Sequence, residues 1–205
     1  MRKLLLILLL LCCVVPAANA QDVRKFFIEA PDSVLPLLPR NSRADCIDFA
    51  DAGMQYPVAN LLDGKCVIKE ISDDYILLQT SGISTMQMKL LPNGEDFLVC
   101  VVNTVFAESA DSRIAFFDSA WKRLDDKSLF MAPAIKDFFM DVNGCNKTME
   151  SCDIYLVTLK LDKEDYSLVA EYTMPLYMSA AEASKVQPAL KRLVYRWNGV
   201  RFVME

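Results

Sequence analysis

The sequence predicts an α+β protein built mainly from antiparallel β-hairpins with a few short helices. Three observations carry that expectation. Apolar runs of strand length recur from about residue 65 to the end. Turn signals separate them, at Asp73-Asp74, Asn93-Gly94, Lys163-Glu164 and Asn198-Gly199. Helical patterning is confined to brief stretches.

The first twenty residues read as a secretory signal, residues 1–20. Arg2 and Lys3 form a short basic start, residues 4–15 an unbroken apolar run, and Pro16 breaks it. Ala18-Asn19-Ala20 places small residues where a signal peptidase reads them, so cleavage is expected between Ala20 and Gln21. The run is too short to span a bilayer core, which needs about 20 apolar residues. Neither Cys12 nor Cys13 has the small preceding residue of a lipid-attachment site. The expected destination is the periplasm or extracellular side of a bacterial envelope. Residues 21–205 have the length of one domain, which would bury roughly 70% of its unfolded surface. Two packed halves, about 21–127 and 128–205, are the alternative division.

Composition excludes several functions. Removing Arg2 and Lys3 leaves 20 basic residues against 27 acidic ones, a net charge of −7. A nucleic-acid partner would need a basic face, and no later segment has the length of a spanning helix. The chain has no histidine. This rules out Ser-His-Asp and Cys-His catalysis, His-ligated zinc and the usual base near neutral pH. Without the signal, five cysteines remain: Cys46, Cys66, Cys100, Cys145 and Cys152. Cys145 and Cys152 flank a short polar segment that a disulfide would close in an oxidising compartment, contributing roughly 2–3 kcal/mol. Cys46 and Cys100 sit in apolar patterns as small core residues. No CxxC pair exists, so zinc is not expected.

In chain order, residues 21–30 read as a short helix with Phe26 and Phe27 inward. Pro31, Pro36 and Pro39 break the chain into an apolar connector. Ser42-x-x-Asp45 resembles a capping box for a helix reaching about Ala52, with Cys46, Ile47, Phe49 and Ala50 buried and Gly53 ending it. Residues 65–71 and 75–80 form a hairpin. Residues 85–91 alternate, with Met86, Met88 and Leu90 on one face and Thr85, Gln87 and Lys89 on the other. Asn93-Gly94 predicts a type I′ turn. Residues 97–106 are apolar on both faces, as in a central strand covered twice. A further hairpin is expected from 113–117 and 121–124, then a polar connection over 125–128 and a short helix over 133–139. Residues 153–161 and 166–174 pair. Ser179-x-x-Glu182 caps a helix ending near Pro188. Residues 193–197 and 200–203 close the last hairpin. Residues 85–124 and 153–203 each read hairpin, excursion, hairpin, which suggests two diverged structural repeats.

Several segments resemble an exported bacterial family, the domain of unknown function 3256. They include Phe26-Phe27-x-x-x-Pro31-Asp32-Ser33-x-Leu35-Pro36-Leu37-Leu38 and Arg43-x-Asp45-x-x-Asp48-Phe49. Further along come Asp73-Asp74-Tyr75, Met88-Lys89-Leu90-Leu91-Pro92, Ala110-Asp111-Ser112-Arg113-Ile114 and Leu193-Val194-Tyr195-x-Trp197. The resemblance runs through nearly the whole chain after the signal but brings no activity, cofactor or catalytic residues. The cysteine-bearing stretch 143–152 lies outside its pattern.

Each candidate chemistry has a plainer structural reading. Asp45, Asp48 and Asp51 line one side of a helix, as a cation or hydrolytic site or, more simply, a solvated face. Asp73-Asp74 and Asp162-x-Glu164-Asp165 fall at turns, where aspartate caps backbone amides and where calcium is the sharper reading. Ser119-x-x-Lys122 matches the serine–lysine signature of penicillin-recognising enzymes, but between strands and without its partner motifs. Asp111-Ser112-Arg113 puts an acid, a serine and a base on one strand, where neighbours face opposite ways. Trp121, Tyr195, Trp197 and Phe202 are an aromatic platform or, more simply, core. Asn146-Lys147-Thr148 fits the glycosylation pattern. No catalytic, cofactor or metal residue is assigned.

The leading functional reading is a non-catalytic binding or assembly module of the cell envelope, with an edge strand or concave face for a protein or peptide partner. The rival is a carboxylate-dependent hydrolase or ligand-binding protein acting on envelope sugars or peptides, which needs two convergent carboxyls. A calcium-stabilised structural module is a third reading. Oligomeric state is left open.

Overall fold

The computed structural model describes residues 22–140 and 154–205. The expected signal with its Ala20–Gln21 cleavage point, the Cys145–Cys152 pairing and Asn146-Lys147-Thr148 lie outside the described residues.

The Asp22 carboxylate accepts the Arg24 amide at 3.0 Å and opens α1 (Val23–Glu29). Val23 and Phe27 are buried, and Phe26 meets the edge of the Phe97 ring. The second helix, α2 (Arg40–Asp51), follows Pro39 directly. The expected N-cap at Ser42, in Ser42-x-x-Asp45, is therefore three residues late. Pro39 already holds φ at −58°, and Ser42 lies inside the first turn. Gly53, at φ 71°, supplies the left-handed residue just past the helix end.

The six strands that follow form one antiparallel meander in chain order. They are β1 (Val58–Ala59), β2 (Lys65–Ile71), β3 (Tyr75–Ser81), β4 (Ser84–Asn93), β5 (Asp96–Phe106) and β6 (Ala110–Phe117). In the β4–β5 turn Asn93 pairs with Asp96, so Gly94 and Glu95 are the central residues. Gly94 alone has positive φ, 65°. The type I′ turn expected over Asn93-Gly94 is thus shifted by one residue, with the glycine at the first central position as in type II′.

The hairpin expected after β6 does not form. Only an isolated bridge joins Phe117 to Arg123. The Asp118 carboxylate accepts the amides of Ala120 and Lys122, each at 2.9 Å, and winds the chain into a tight turn instead. Asp125 then caps a single helical turn, α3 (Asp126–Leu129). A 3-10 turn over Ile135–Phe138 stands where the 133–139 helix was expected.

The second sheet is also antiparallel, in the order β10-β9-β8-β7. Its strands are β7 (Val157–Leu161), β8 (Ser167–Tyr172), β9 (Leu193–Trp197) and β10 (Phe202–Met204). The expected capping box forms at α3's successor, α4 (Ala180–Val186): Ser179 Oγ accepts the Glu182 amide, and Glu182 Oε2 accepts the Ser179 amide, both at 3.3 Å. The hairpin–excursion–hairpin pattern fits residues 157–204. It fails over 85–124 because residues 121–124 make no strand, so the first sheet is not a copy of the second.

The large sheet is covered on both faces, as the apolar pattern of β5 requires. Val99 and Val101 join α1, α2 and the proline connector in one core. Leu98, Cys100 and Val102 join Leu159, Leu168, Tyr195 and Phe202 of the second sheet in another. Tyr195, Trp197 and Phe202 are therefore core and not an exposed platform.

Arg43 organises the connector. It is 1% exposed within α2, where a helical stripe of apolar residues would be expected. Its guanidinium donates to the carbonyls of Leu38 (2.6 Å), Leu35 (3.3 Å), Ile28 (3.4 Å) and Ala30. It also pairs with Asp32 at 2.5 Å. The proline-broken segment has no regular ladder to satisfy these carbonyls, and one forked donor set does so. Arg43→Ala should lower the unfolding free energy by about 3 kcal/mol or more, since each uncovered buried polar group costs about 1–3 kcal/mol. Arg43→Lys should not rescue it, because a single ammonium lacks the fork. Urea unfolding checks both; an unchanged midpoint for Arg43→Ala would refute the role.

Candidate functional site

Strand β7 crosses the face of the large sheet over β6, β5 and β4. Its residues Thr158 and Lys160 lie between amides that point away from β8. Those outward amides are taken by side chains of the large sheet. Asp111 Oδ1 accepts the Val157 amide at 3.3 Å, Ser112 Oγ the Leu159 amide at 3.0 Å, and Gln87 Oε1 the Leu161 amide at 2.9 Å. Gln87 Nε2 donates back to the Leu159 carbonyl at 3.2 Å, and the Tyr75 hydroxyl donates to Gln87 Oε1 at 3.3 Å. At the following turn Lys89 Nζ donates to the Lys163 carbonyl at 2.8 Å and pairs with Asp74 at 3.1 Å, with the Tyr166 ring 5.2 Å away. Trp197 Nε1, from β9, donates to the Pro92 carbonyl of β4 at 2.6 Å.

Gln87 and Lys89 were expected on the polar face of β4; they are 5% and 1% exposed. A signal was present in the sequence. Leu91 shares their face, and their cross-strand partners Val102 and Cys100 are apolar.

An edge strand exposes unpaired backbone groups that other chains can capture, and the four edges here are treated differently. β1 and β10 are only two and three residues long. β7 is closed by the side chains just described. β6 is closed at both ends. Phe116 donates its amide to Asp126 at 3.1 Å and accepts the Leu124 amide at 2.9 Å, while the Ala110 carbonyl accepts the Thr173 hydroxyl at 2.5 Å. In an antiparallel ladder outward positions alternate, so Ser112 and Ile114 also face outward. Their main-chain N–H and C=O groups have no partner among the described residues.

Beside this open stretch lies a cavity of about 490 Å³, between β6 and β7. Its walls are mainly apolar, from Ile114, Phe130, Met131, Ala132, Val157 and Leu159, with Ser112, Asp126, Lys127 and Tyr155 as the polar lining. Ser112 and Asp126 are already bonded to backbone amides. A second cavity, of about 230 Å³, lies between the proline connector and the ends of β3, β4 and β5.

The sequence-predicted candidates are dispersed. Asp45, Asp48 and Asp51 are exposed along α2, on the opposite side of the large sheet from the second sheet, and Asp51 pairs with Arg24 at 2.9 Å. Asp74 lies beside Leu90, at the Phe117 end of β6, whereas Asp111 lies at the other end. Six strand residues separate those ends, about 20 Å. Asp162 caps the amides of Glu164 and Asp165 within its turn, and Asp165 caps Ser167. Ser119 and Lys122 sit in the Asp118 turn, with the Ser119 hydroxyl on Asp96 at 3.1 Å and no helix beneath them. Asp111 and Ser112 both engage β7, and Arg113 is exposed. Among the described residues no group of three acidic or cysteine side chains is arranged to hold a metal, and no helix is long and apolar enough to cross a membrane. Hydrogen bonds from Ser167 and the Arg196 guanidinium hold the Asp165 carboxyl below its ordinary value, the reverse of what a general acid needs.

The chain belongs to the family described as protein of unknown function (DUF3256), which matches residues 16–202. Among solved structures it is similar to a domain of an uncharacterized protein from Porphyromonas gingivalis W83. The two are 26% identical with a TM-score of 0.74, over 89% of this chain and 98% of that one. No curated protein matches.

Two predictions follow from the buried groups at and behind this junction. Gln87→Leu leaves the Leu161 amide, the Leu159 carbonyl and the Tyr75 hydroxyl unserved, so it should cost about 2–4 kcal/mol in urea unfolding; a loss below about 0.5 kcal/mol would refute the junction's role. Burial pushes the Cys46 thiol up to about 12, with Cys66 and Asp45 adding to it, and raises Cys66 as well. An unfolded thiol ionises near pH ~8.5. The native state's advantage is thus complete below that pH and is lost as pH rises toward about 12. Folding stability should decline steadily above pH ~8.5. Iodoacetamide at pH 8, mapped by mass spectrometry, should leave Cys46, Cys66 and Cys100 unlabelled until urea is added.

Proposed function

We propose that this protein is an exported, non-catalytic binding or assembly module of a bacterial envelope, and that it binds its partner at the cavity between β6 and β7. The observation that carries this reading is the cavity's make-up. It has the size and apolar walls of a ligand site, and two of its four polar side chains are committed to holding backbone amides. Nothing in it pairs a carboxyl with a second carboxyl, as the hydrolase reading requires. The basic-apolar-small pattern of residues 1–20 supports export.

In cells, material in the envelope fraction should begin at Gln21 by N-terminal sequencing. A photo-crosslinking residue placed at Met131, which is 78% exposed and lines the cavity, should trap a specific partner. The same residue at Arg201, on the exposed β9–β10 turn, should not. Recovery of the chain with Met1 attached in the cytoplasm would overturn the export reading. Equal, unspecific labelling from both positions would overturn the binding site.

A further inference from the structure

Resting on that binding reading, we propose that the occupant of the cavity is an extended peptide that adds a short strand to β6, pairing main chain to main chain with Ser112 and Ile114. Three features of the cavity select this class of ligand over a free small molecule.

The first is the open edge. The alternation of β6 places the N–H and C=O of both residues outward, a repeat of about 6.6 Å that matches the spacing of alternate residues in another extended chain. The flanking Ala110 carbonyl is taken by Thr173, and both main-chain groups of Phe116 are taken by Asp126 and Leu124. The residues whose N–H and C=O are both open are therefore Ser112 and Ile114, which sets the register of anything that pairs there. Unpaired backbone groups beside an apolar wall are costly unless a partner serves them.

The second is the wall. An added strand sends alternate side chains to opposite faces. Those on the cavity side would meet Ile114, Phe130, Val157 and Leu159, an apolar surface with room for an aliphatic side chain. Main-chain bonds then supply affinity and the apolar recess supplies selectivity, as in other strand-addition sites.

The third is charge. The Tyr155 hydroxyl, on the cavity wall, lies near the carboxylates of Asp111 and Asp137. Neither carboxylate has an ion-pair partner among the described residues. Asp126 is paired with Arg123, which leaves Lys127 as the lining cation. With a net charge of −7 once residues 1–20 are removed, the rim favours an occupant carrying basic residues at the positions between its apolar ones.

The test uses the folded, signal-free protein and a hexapeptide of alternating lysine and valine. Before addition, the amides of Ser112 and Ile114 should exchange quickly with deuterium, while those of Arg113 and Ala115, bonded within the ladder, are protected. The peptide should slow exchange at Ser112 and Ile114 selectively. An alternating glutamate–valine peptide should bind about tenfold more weakly, a difference of about 1.4 kcal/mol. N-methylation of the peptide valine amides, which removes main-chain donors but keeps the side chains, should abolish binding. In the protein, Ile114→Pro removes one outward donor without touching the β5 ladder, as proline is tolerated on an edge strand; it should weaken the peptide at least tenfold with its melting temperature monitored for lost packing.

Protected Ser112 and Ile114 amides in the free protein, no binding by the lysine–valine peptide, or undiminished binding by its N-methylated form would each overturn the proposal. A partner trapped from Met131 in cells whose binding leaves those two amides unprotected would sink strand addition while leaving the binding reading intact. Absence of both signals would sink the two together.

Discussion

The arrangement of this protein depends on how one strand edge is satisfied. β7 is the outermost strand of the second sheet, and its outward amides have no neighbouring strand to bond. Asp111, Ser112 and Gln87 accept them instead, from two strands of the other sheet. This crossing solves two problems at once. It closes an edge that would otherwise invite association, and it fixes the second sheet over β4, β5 and β6 in one register. Apolar contact alone would permit sliding, because it is non-directional. Three hydrogen bonds at alternate residues do not permit it. Lys89 extends the same logic past the strand end, where its ammonium is buried but served by a carbonyl, a carboxylate and a ring face.

The residues that carry the family resemblance do this joining work. Asp74, Tyr75 and Lys89 belong to the latch at the turn after β7; Asp111 and Ser112 belong to the edge itself; Trp197 reaches back to the Pro92 carbonyl. At the other face, Arg43 and Asp32 hold the proline connector. Polar groups in these motifs invite a catalytic reading when met as sequence. The partners of Asp74, Lys89, Asp111, Ser112, Trp197, Arg43 and Asp32 explain them without chemistry on a substrate. The acidic turns follow the same rule, with Asp118 and Asp162 each capping two amides.

Much of the fold was legible because local signals and tertiary needs agreed. The two-faced apolar run of β5 announced a strand covered twice, and the Ser179–Glu182 box marked α4. What failed was read one element at a time. Residues 121–124 alternate like a strand, yet the Asp118 side chain and Trp121 at φ 63° wind the return so tightly that only an isolated bridge to β6 forms. Gln87 and Lys89 look solvated from β4 alone. They look buried once aligned with Val102 and Cys100, and that alignment needs the register of the next hairpin. Arg43 was hidden for a related reason. Its partners are carbonyls of a connector that has no periodicity to announce them. The candidate site was the least legible part, since an open window on β6 is defined by which backbone groups lack partners, and that is a property of topology.

The same crossing that closes β7 creates the cavity. Two sheets that run together along their edges leave no gap, but here β7 passes over β6 at its start and moves on toward β4. Ser112 holds β7 through its side chain, but the main chain of β6 at Ser112 and Ile114 lies beside the second sheet without a ladder to it. The loop through α3 then walls the outer side with Phe130 and Met131. Two edges are kept to two or three residues and β7 is closed by side chains, whereas on β6 Ser112 and Ile114 keep main-chain groups without partners among the described residues, against an apolar wall. These outward groups beside an apolar wall are the feature on which the proposed strand addition rests.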